Sequence, residues 1–224
     1  MRHHAFATVL FLFAAASPLI ASEEPVQELK SRVDRAVQVM NDPATKGPAK
    51  VSERRAKVRK IADEIFDFSE MSRRSLGVHW QGLAPGDRER FVRLFSDLLD
   101  RAYFEKIDSY NGEKVTYLAP KVERDQATVP TRVITEKGTE IPVEYRMRQD
   151  GGRWLVYDVV IEGVSLVSNY RAQFDRIIRT ASVADLLKRM EAQAAGHASA
   201  NGQASPGGQA GPAEPKKPRG AGRE

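Results

Sequence analysis

The chain has 224 residues, 41% hydrophobic and 29% charged, with no cysteine and a formal net charge of +5. That length holds one medium domain with extensions, and the absence of cysteine excludes a disulfide framework. Arg2 and the residues beyond Gly196 carry three of the five net charges, and the two left on the domain are too few to argue for nucleic acid.

At the N-terminus, Arg2 is followed by an apolar run from Ala5 to Ala16 and by small residues through Ser22. The run is too short for a bilayer span of about 20 residues and has the three-part form of a secretory signal. Residues 1–22 therefore read as a signal peptide, cut after Ala21 or Ser22, that sends the protein to the periplasm. With no cysteine near the cut, a lipid-anchored precursor is excluded. Residues 196–224 turn to Gly, Pro, Ala, Gln and Lys, with no larger aliphatic or aromatic residue to bury, and read as a disordered tail. Residues 23–195 are left as one domain.

Within the domain, Val26, Leu29, Val33, Val37 and Met40 recur at helical spacing, and Pro25 suits the first turn of that helix. A second helix is expected from Ser52 to Phe66, basic on its outer side. A short third one follows, capped by Asp67 or Ser69 and ended by Gly77. Pro85 opens a fourth, whose wide apolar face includes Phe91, Leu94, Phe95, Leu98, Leu99, Tyr103 and Ile107, with Asn111-Gly112 closing it.

The period then changes to two. Four strands are expected over 114–118, 126–134, 140–148 and 153–161, joined by short turns that force antiparallel neighbours. Pro130 and Pro142 suggest bulges and a curved sheet. A last helix is expected from Ser165 to about Ala194, broken near Ser182. The fold class is α+β: N-terminal helices, a curved four-stranded antiparallel sheet and a returning C-terminal helix.

The stretch from Trp154 to Ile178 organises the rest. Trp154 to Ile161 is apolar at nearly every position, so this strand is covered on both faces. Glu162-Gly163 breaks the run and Ser165 stands where an N-cap belongs. Val167, Tyr170, Phe174, Ile177 and Ile178 then form one apolar stripe. Asp158 is the exception in the strand, and an isolated buried carboxylate is costly. Pairing with an arginine such as Arg132 or Arg171 is the expected solution, with a headgroup contact as the functional alternative. Alternation assigns Leu155, Tyr157, Val159 and Ile161 to the drier face.

No catalytic constellation emerges. His79 and His197 are the only histidines beyond the signal, the latter in the tail, so no histidine pair exists to bind metal, and no phosphate-binding glycine loop exists. Gly163-Val164-Ser165-Leu166-Val167 has the strand–turn–helix context of a nucleophile elbow, but Val167 replaces the second glycine, so Ser165 reads as a cap.

Two blocks carry a family likeness. F-D-F-S-E-M-S-R-R-S-L-G at Phe66 to Gly77, with Trp80 and E-R-F-V-R-L-F-S-D-L-L at Glu89 to Leu99, is the first. W-L-V-Y-D-V-V-I-E-G-V-S-L-V-S-N-Y-R-A-Q-F at Trp154 to Phe174 is the second. Together they resemble the toluene-tolerance (MlaC) family across nearly the whole domain. The resemblance implies a sheet related to nuclear transport factor 2, closed by helices around an apolar cavity. It implies a periplasmic carrier, without cofactor, metal or enzymatic activity. Such a carrier passes phospholipid between an outer-membrane lipoprotein complex and an inner-membrane ABC transporter complex. The lipid-binding residues it implies are Phe68, Met71, Trp80, Phe91, Leu94, Phe95, Leu98, Tyr103, Tyr145, Met147, Tyr157, Val159, Tyr170 and Phe174. A carrier of hopanoid or another polycyclic lipid, a lipid hydrolase using Ser165 and a ligand-free adaptor are the alternatives.

Overall fold

A computed structural model describes residues 19–45, 47–108 and 112–201. The expected signal peptide falls mostly outside these residues, as do Asn111 and the tail beyond Asn201. Among the described residues the order is α1 (Leu19–Asn41), α2 (Val51–Ile65), α3 (Phe68–Leu76), α4 (Pro85–Asp108), β1 (Lys114–Tyr117), β2 (Lys121–Glu123), β3 (Gln126–Ile134), β4 (Glu140–Asp150), β5 (Arg153–Ile161), β6 (Val164–Ser165), α5 (Leu166–Thr180) and α6 (Val183–Asn201).

The α+β reading holds, and so do most helix ends, because capping is local chemistry. Asp67 Oδ1 accepts the Glu70 amide at 2.9 Å and starts α3. Gly77, at φ 56°, stops it. Ser165 Oγ accepts the Ser168 amide at 3.0 Å at the head of α5, and Ser182 Oγ accepts the Asp185 amide at 3.1 Å at the head of α6. Two ends differ. α1 runs through Pro25 instead of starting there, since a proline near a helix start removes only one internal bond. α6 continues past Gly196 to Asn201, so the first residues assigned to a disordered tail are helical.

The sheet has the order β1-β3-β4-β5-β6, antiparallel throughout, with β2 also on β3. The two short strands β2 and β6 extend the expected four. Neither proline makes a bulge: the β3–β4 register runs unbroken past both. Pro130 lies between the stretches of β3 that pair with β2 and with β1, where its missing N–H removes no ladder bond. Pro142 lies just beyond the end of the β4–β5 pairing. The register shift is instead at Arg146/Met147, where Tyr157 of β5 is the extra residue.

That bulge resets the side-chain alternation of β5. Val159 joins Trp154 and Val156 on the face that packs under α1 and α2, with Ala127, Val129, Tyr145 and Met147. Leu155, Asp158 and Val160 pair across the sheet with Arg148, Arg146 and Glu144 on the other face. The expected drier face is thus corrected: a period of two fails where one extra residue enters. Leu29, Ile61 and Ile65 supply the helical half of this first core.

The second core is made by helices, joined by Leu83 from the turn before α4. Met71 and Leu76 of α3, Phe91, Leu94, Phe95 and Leu99 of α4, Val167, Tyr170 and Phe174 of α5, and Leu186, Leu187 and Met190 of α6 are buried together. The wide apolar face of α4 is explained by α3, α5 and α6 all packing around it.

Candidate functional site

The residues expected to line a lipid pocket fall into three places. Met71, Phe91, Leu94, Phe95, Tyr170 and Phe174 lie inside the helical core, with Phe68, Trp80, Leu98 and Tyr103 half-buried on its margin. Tyr145, Met147 and Val159 lie in the other core, between the sheet and α1–α2. Tyr157, the bulge residue, lies in the wall of a separate cleft.

In the helical core the aromatic rings pack on one another. Phe95 meets Tyr170 edge-on at 5.2 Å between centroids and Phe174 at 5.5 Å, and Phe91 stacks on Phe95 at 5.7 Å. Such edge and offset contacts add about 0.5–1.5 kcal/mol each to the burial of the rings. The Tyr170 hydroxyl is buried among them without a hydrogen-bond partner. Burial pushes the Tyr170 and Tyr103 phenols above their ordinary range, because the phenolate would have no solvent.

The cleft has a volume of about 670 Å³ and opens between the end of α3, the bulged part of β4–β5 and the first turns of α5. Its walls carry Arg73, Arg74, Arg146 and Arg171, with Asp158 as the lining carboxylate. Val167 belongs both to this cleft and to the helical core, so the two adjoin. Arg74 lies over the Tyr157 ring at 4.0 Å, a cation–π contact that holds both in the wall.

Asp158 is buried, and its carboxylate is fully occupied. Oδ2 accepts from Ser165 Oγ at 2.7 Å and from Arg146 Nη1 at 3.2 Å, and Oδ1 accepts the Val167 amide at 3.0 Å. The expectation of an arginine partner is met, but by Arg146 in place of Arg132 or Arg171. The pairing follows from register, since Arg146 and Asp158 are direct cross-strand neighbours. The carboxylate also answers the positive end of α5. Ser165 is thereby committed to Asp158 and Ser168, which is the arrangement of a cap. His79, the base an elbow would need, pairs with Asp175 at 3.0 Å.

On α3, Glu70 accepts from Arg73 through both oxygens at 2.6 Å and from Arg74 at 2.7 Å. These arginines hold its carboxyl well below the usual range, at about 2. Among the described residues, no group of His, Cys, Asp and Glu is placed to hold a metal ion, and no helix is long and apolar enough to cross a membrane.

Of the cleft arginines only Arg171 was singled out in the sequence, and that as a partner for Asp158. Arg73-Arg74 just before a helix-ending glycine is a local signal, but its convergence with Arg146 and Arg171 is a product of the fold.

Comparison with known proteins agrees with this architecture. The model of the family described as MlaC protein matches residues 30–192, well over half of the chain. A curated relative, the intermembrane phospholipid transport system binding protein MlaC of Haemophilus influenzae, is 24% identical over 125 residues, 54% of this chain and 58% of the relative. Toluene tolerance protein ttg2D of Pseudomonas putida is 26% identical over 119 residues, 52% of this chain and 55% of the relative. The chain thus spans a little over half the length of these curated relatives in the matched regions. Among solved structures, a phospholipid-binding protein from Ralstonia solanacearum, in complex with a phospholipid, superposes with a TM-score of 0.66. It is 23% identical, over 79% of this chain and 98% of that one, and the likeness is one of fold.

Proposed function

The chain belongs to the MlaC family, and from that premise we propose that it is a phospholipid-binding transport protein of the periplasm. It takes the acyl chains into the helical core and passes the lipid between an outer-membrane lipoprotein complex and an inner-membrane ABC transporter complex. The observation that carries this reading is the aromatic cluster of α3–α6, which adjoins an open cleft at Val167. A diacyl lipid exposes about 30 methylenes, each worth about 0.8 kcal/mol on leaving water, so free passage through water would cost on the order of 20 kcal/mol. An apolar interior returns most of that, and exchange with a membrane becomes nearly balanced. The names of the two curated relatives and of the structural neighbour point the same way.

In this reading Phe68, Met71, Trp80, Phe91, Leu94, Phe95, Leu98, Tyr103, Tyr170 and Phe174 meet the acyl chains. The rings of α4 and α5 pack on one another, so uptake of acyl chains exchanges ring–ring contact for ring–methylene contact. Tyr145, Met147 and Val159 serve the core under α1–α2, and Tyr157 stands at the mouth. No chemistry is asked of Ser165.

The test is extraction of protein purified from cells, followed by mass spectrometry. Glycerophospholipid at a fixed ratio to protein is expected. A polycyclic lipid in its place would reassign the ligand, and no lipid after mild handling would end the carrier reading.

A further inference from the structure

We propose that the arginine-lined cleft is a phosphate subsite, which takes the headgroup of an anionic phospholipid whose acyl chains enter the core beside it. The inference rests on the carrier reading and adds a headgroup preference to it.

The argument is one of charge. Four guanidinium groups line the cleft. Glu70 is ion-paired with both Arg73 and Arg74, Asp67 acts on Arg73 only at longer range while bonded to Arg148, and Asp158 answers Arg146. Among the described residues Arg171 has no carboxylate partner. Four cations therefore face two carboxylates, and one of these, Asp158, also accepts the Val167 amide of α5. About two positive charges stay uncompensated in a concave site, where walls of low dielectric focus the field. The site suits an oxyanion such as phosphate, since a guanidinium offers paired donors that match two of its oxygens. The binding does not rest on the head of α5, where the Val167 and Ser168 amides are already taken by Asp158 and Ser165.

Position supports the same conclusion. Gly77 and Arg171 form one side of the cleft, and the guanidinium of Arg171 lies 2.7–3.0 Å from where a Cβ of residue 77 would be. The glycine lets that guanidinium lie against the chain at the cleft wall. Val167 in the cleft is continuous with the helical core, and Val78 beside it is an exposed apolar residue. A cationic cleft adjoining an apolar interior matches the order of a phospholipid, phosphate first and chains behind.

The test uses the purified full chain, stripped of lipid and reloaded from vesicles of equal parts phosphatidylglycerol and phosphatidylethanolamine. Bound lipid is quantified by mass spectrometry for the wild type, Arg171→Gln and Arg171→Lys. Arg171 is exposed and, among the described residues, has no carboxylate partner, so its loss leaves the fold intact, which a thermal melt checks. Wild type is expected to enrich phosphatidylglycerol at least five-fold. Arg171→Gln loses most of that enrichment at unchanged total lipid per protein, and Arg171→Lys keeps part of it. Equal ratios in wild type and Arg171→Gln, with lipid loaded normally, would overturn the subsite and leave the carrier reading standing. No lipid in any of the three would overturn the carrier reading and the headgroup assignment together. Calorimetric titration with inorganic phosphate separates the remaining source: binding that Arg171→Gln abolishes, without any headgroup selectivity in loading, would make this a free-phosphate site and overturn the proposal.

Discussion

The Arg171 guanidinium occupies the space that a side chain on residue 77 would need: Nε lies 2.7 Å and Nη2 2.9 Å from the Cβ position there. Gly77 also has φ 56° with ψ −123°, a backbone region closed to residues with a Cβ. Gly77→Ala therefore meets two penalties, backbone strain of about 1–3 kcal/mol and the displacement of Arg171. A drop in the thermal midpoint is expected, together with loss of headgroup selectivity. Asn, which tolerates the left-handed helical region, does not rescue, because ψ here is far from that region. Equal melting of Gly77→Asn and wild type would contradict this account.

Asp158 ties β5 to the head of α5 through three hydrogen bonds. Asp158→Ala leaves the buried Val167 amide without its acceptor, while Arg146, 41% exposed, keeps its solvent, so a loss of about 1–3 kcal/mol is expected. Asp158→Asn keeps one acceptor oxygen but not the charge that faces the helix dipole, and about half that loss is expected. Denaturant unfolding of the two variants measures the order, and a milder effect of alanine than of asparagine would refute it.

Glu70 gives the protein an acid limit. Its carboxyl is lowered from 4.5 to about 2 by Arg73 and Arg74, so the folded form holds fewer protons than the unfolded form between these values. The stabilisation is complete above about pH 4.5 and disappears as pH falls through 2. Arg73 is half exposed and Arg74 about a third, so solvent screening reduces the effect to roughly 1–2 kcal/mol. Glu70→Gln is expected to flatten this part of the stability–pH curve. Unfolding midpoints from pH 6 to pH 2 test it, and parallel curves for the two proteins would remove Glu70 from the explanation.

Tyr170 carries a hydroxyl that is buried without a partner. An unsatisfied buried polar group costs about 1–3 kcal/mol, while the ring itself packs well against Phe95 and Phe174. Tyr170→Phe keeps the rings and removes the orphan, so the empty protein should become more stable by about 1 kcal/mol. A melt of lipid-free protein decides, with destabilisation as the contrary result.

What the sequence reveals and what it hides divide along the range of the interactions. Asp67, Gly77, Ser165 and Ser182 were legible as helix ends because a cap needs only its own turn. The helical core was legible from the apolar stripes of α4 and α5. The face assignment of β5 was not, since the bulge at Tyr157 depends on how β4 pairs and shifts every residue after it. The prolines misled for a related reason: they mark where the ladder is interrupted, here without inserting a residue. The cleft was hidden entirely, because Arg73 and Arg171 lie about a hundred positions apart and meet only when α3 packs beside α5. Family likeness named the aromatic set as one pocket; the sheet divides it, with Tyr145, Met147 and Val159 on the side of α1 and α2.

That division separates fold from function in one further prediction. Phe95 is fully buried and touches three other rings, so Phe95→Ala removes core packing and should cost about 3–5 kcal/mol. Leu98 lies a turn on, half-buried at the margin of the same core. Leu98→Asp places its carboxylate near solvent, where the fold loses only about 1 kcal/mol of apolar burial. An acyl chain at that margin would meet a charge it cannot solvate. Lipid co-purifying with Leu98→Asp should fall several-fold while the melting temperature moves by a few degrees. Full lipid occupancy in Leu98→Asp would place the acyl path elsewhere, and the sheet face around Tyr145 would become the next region to charge.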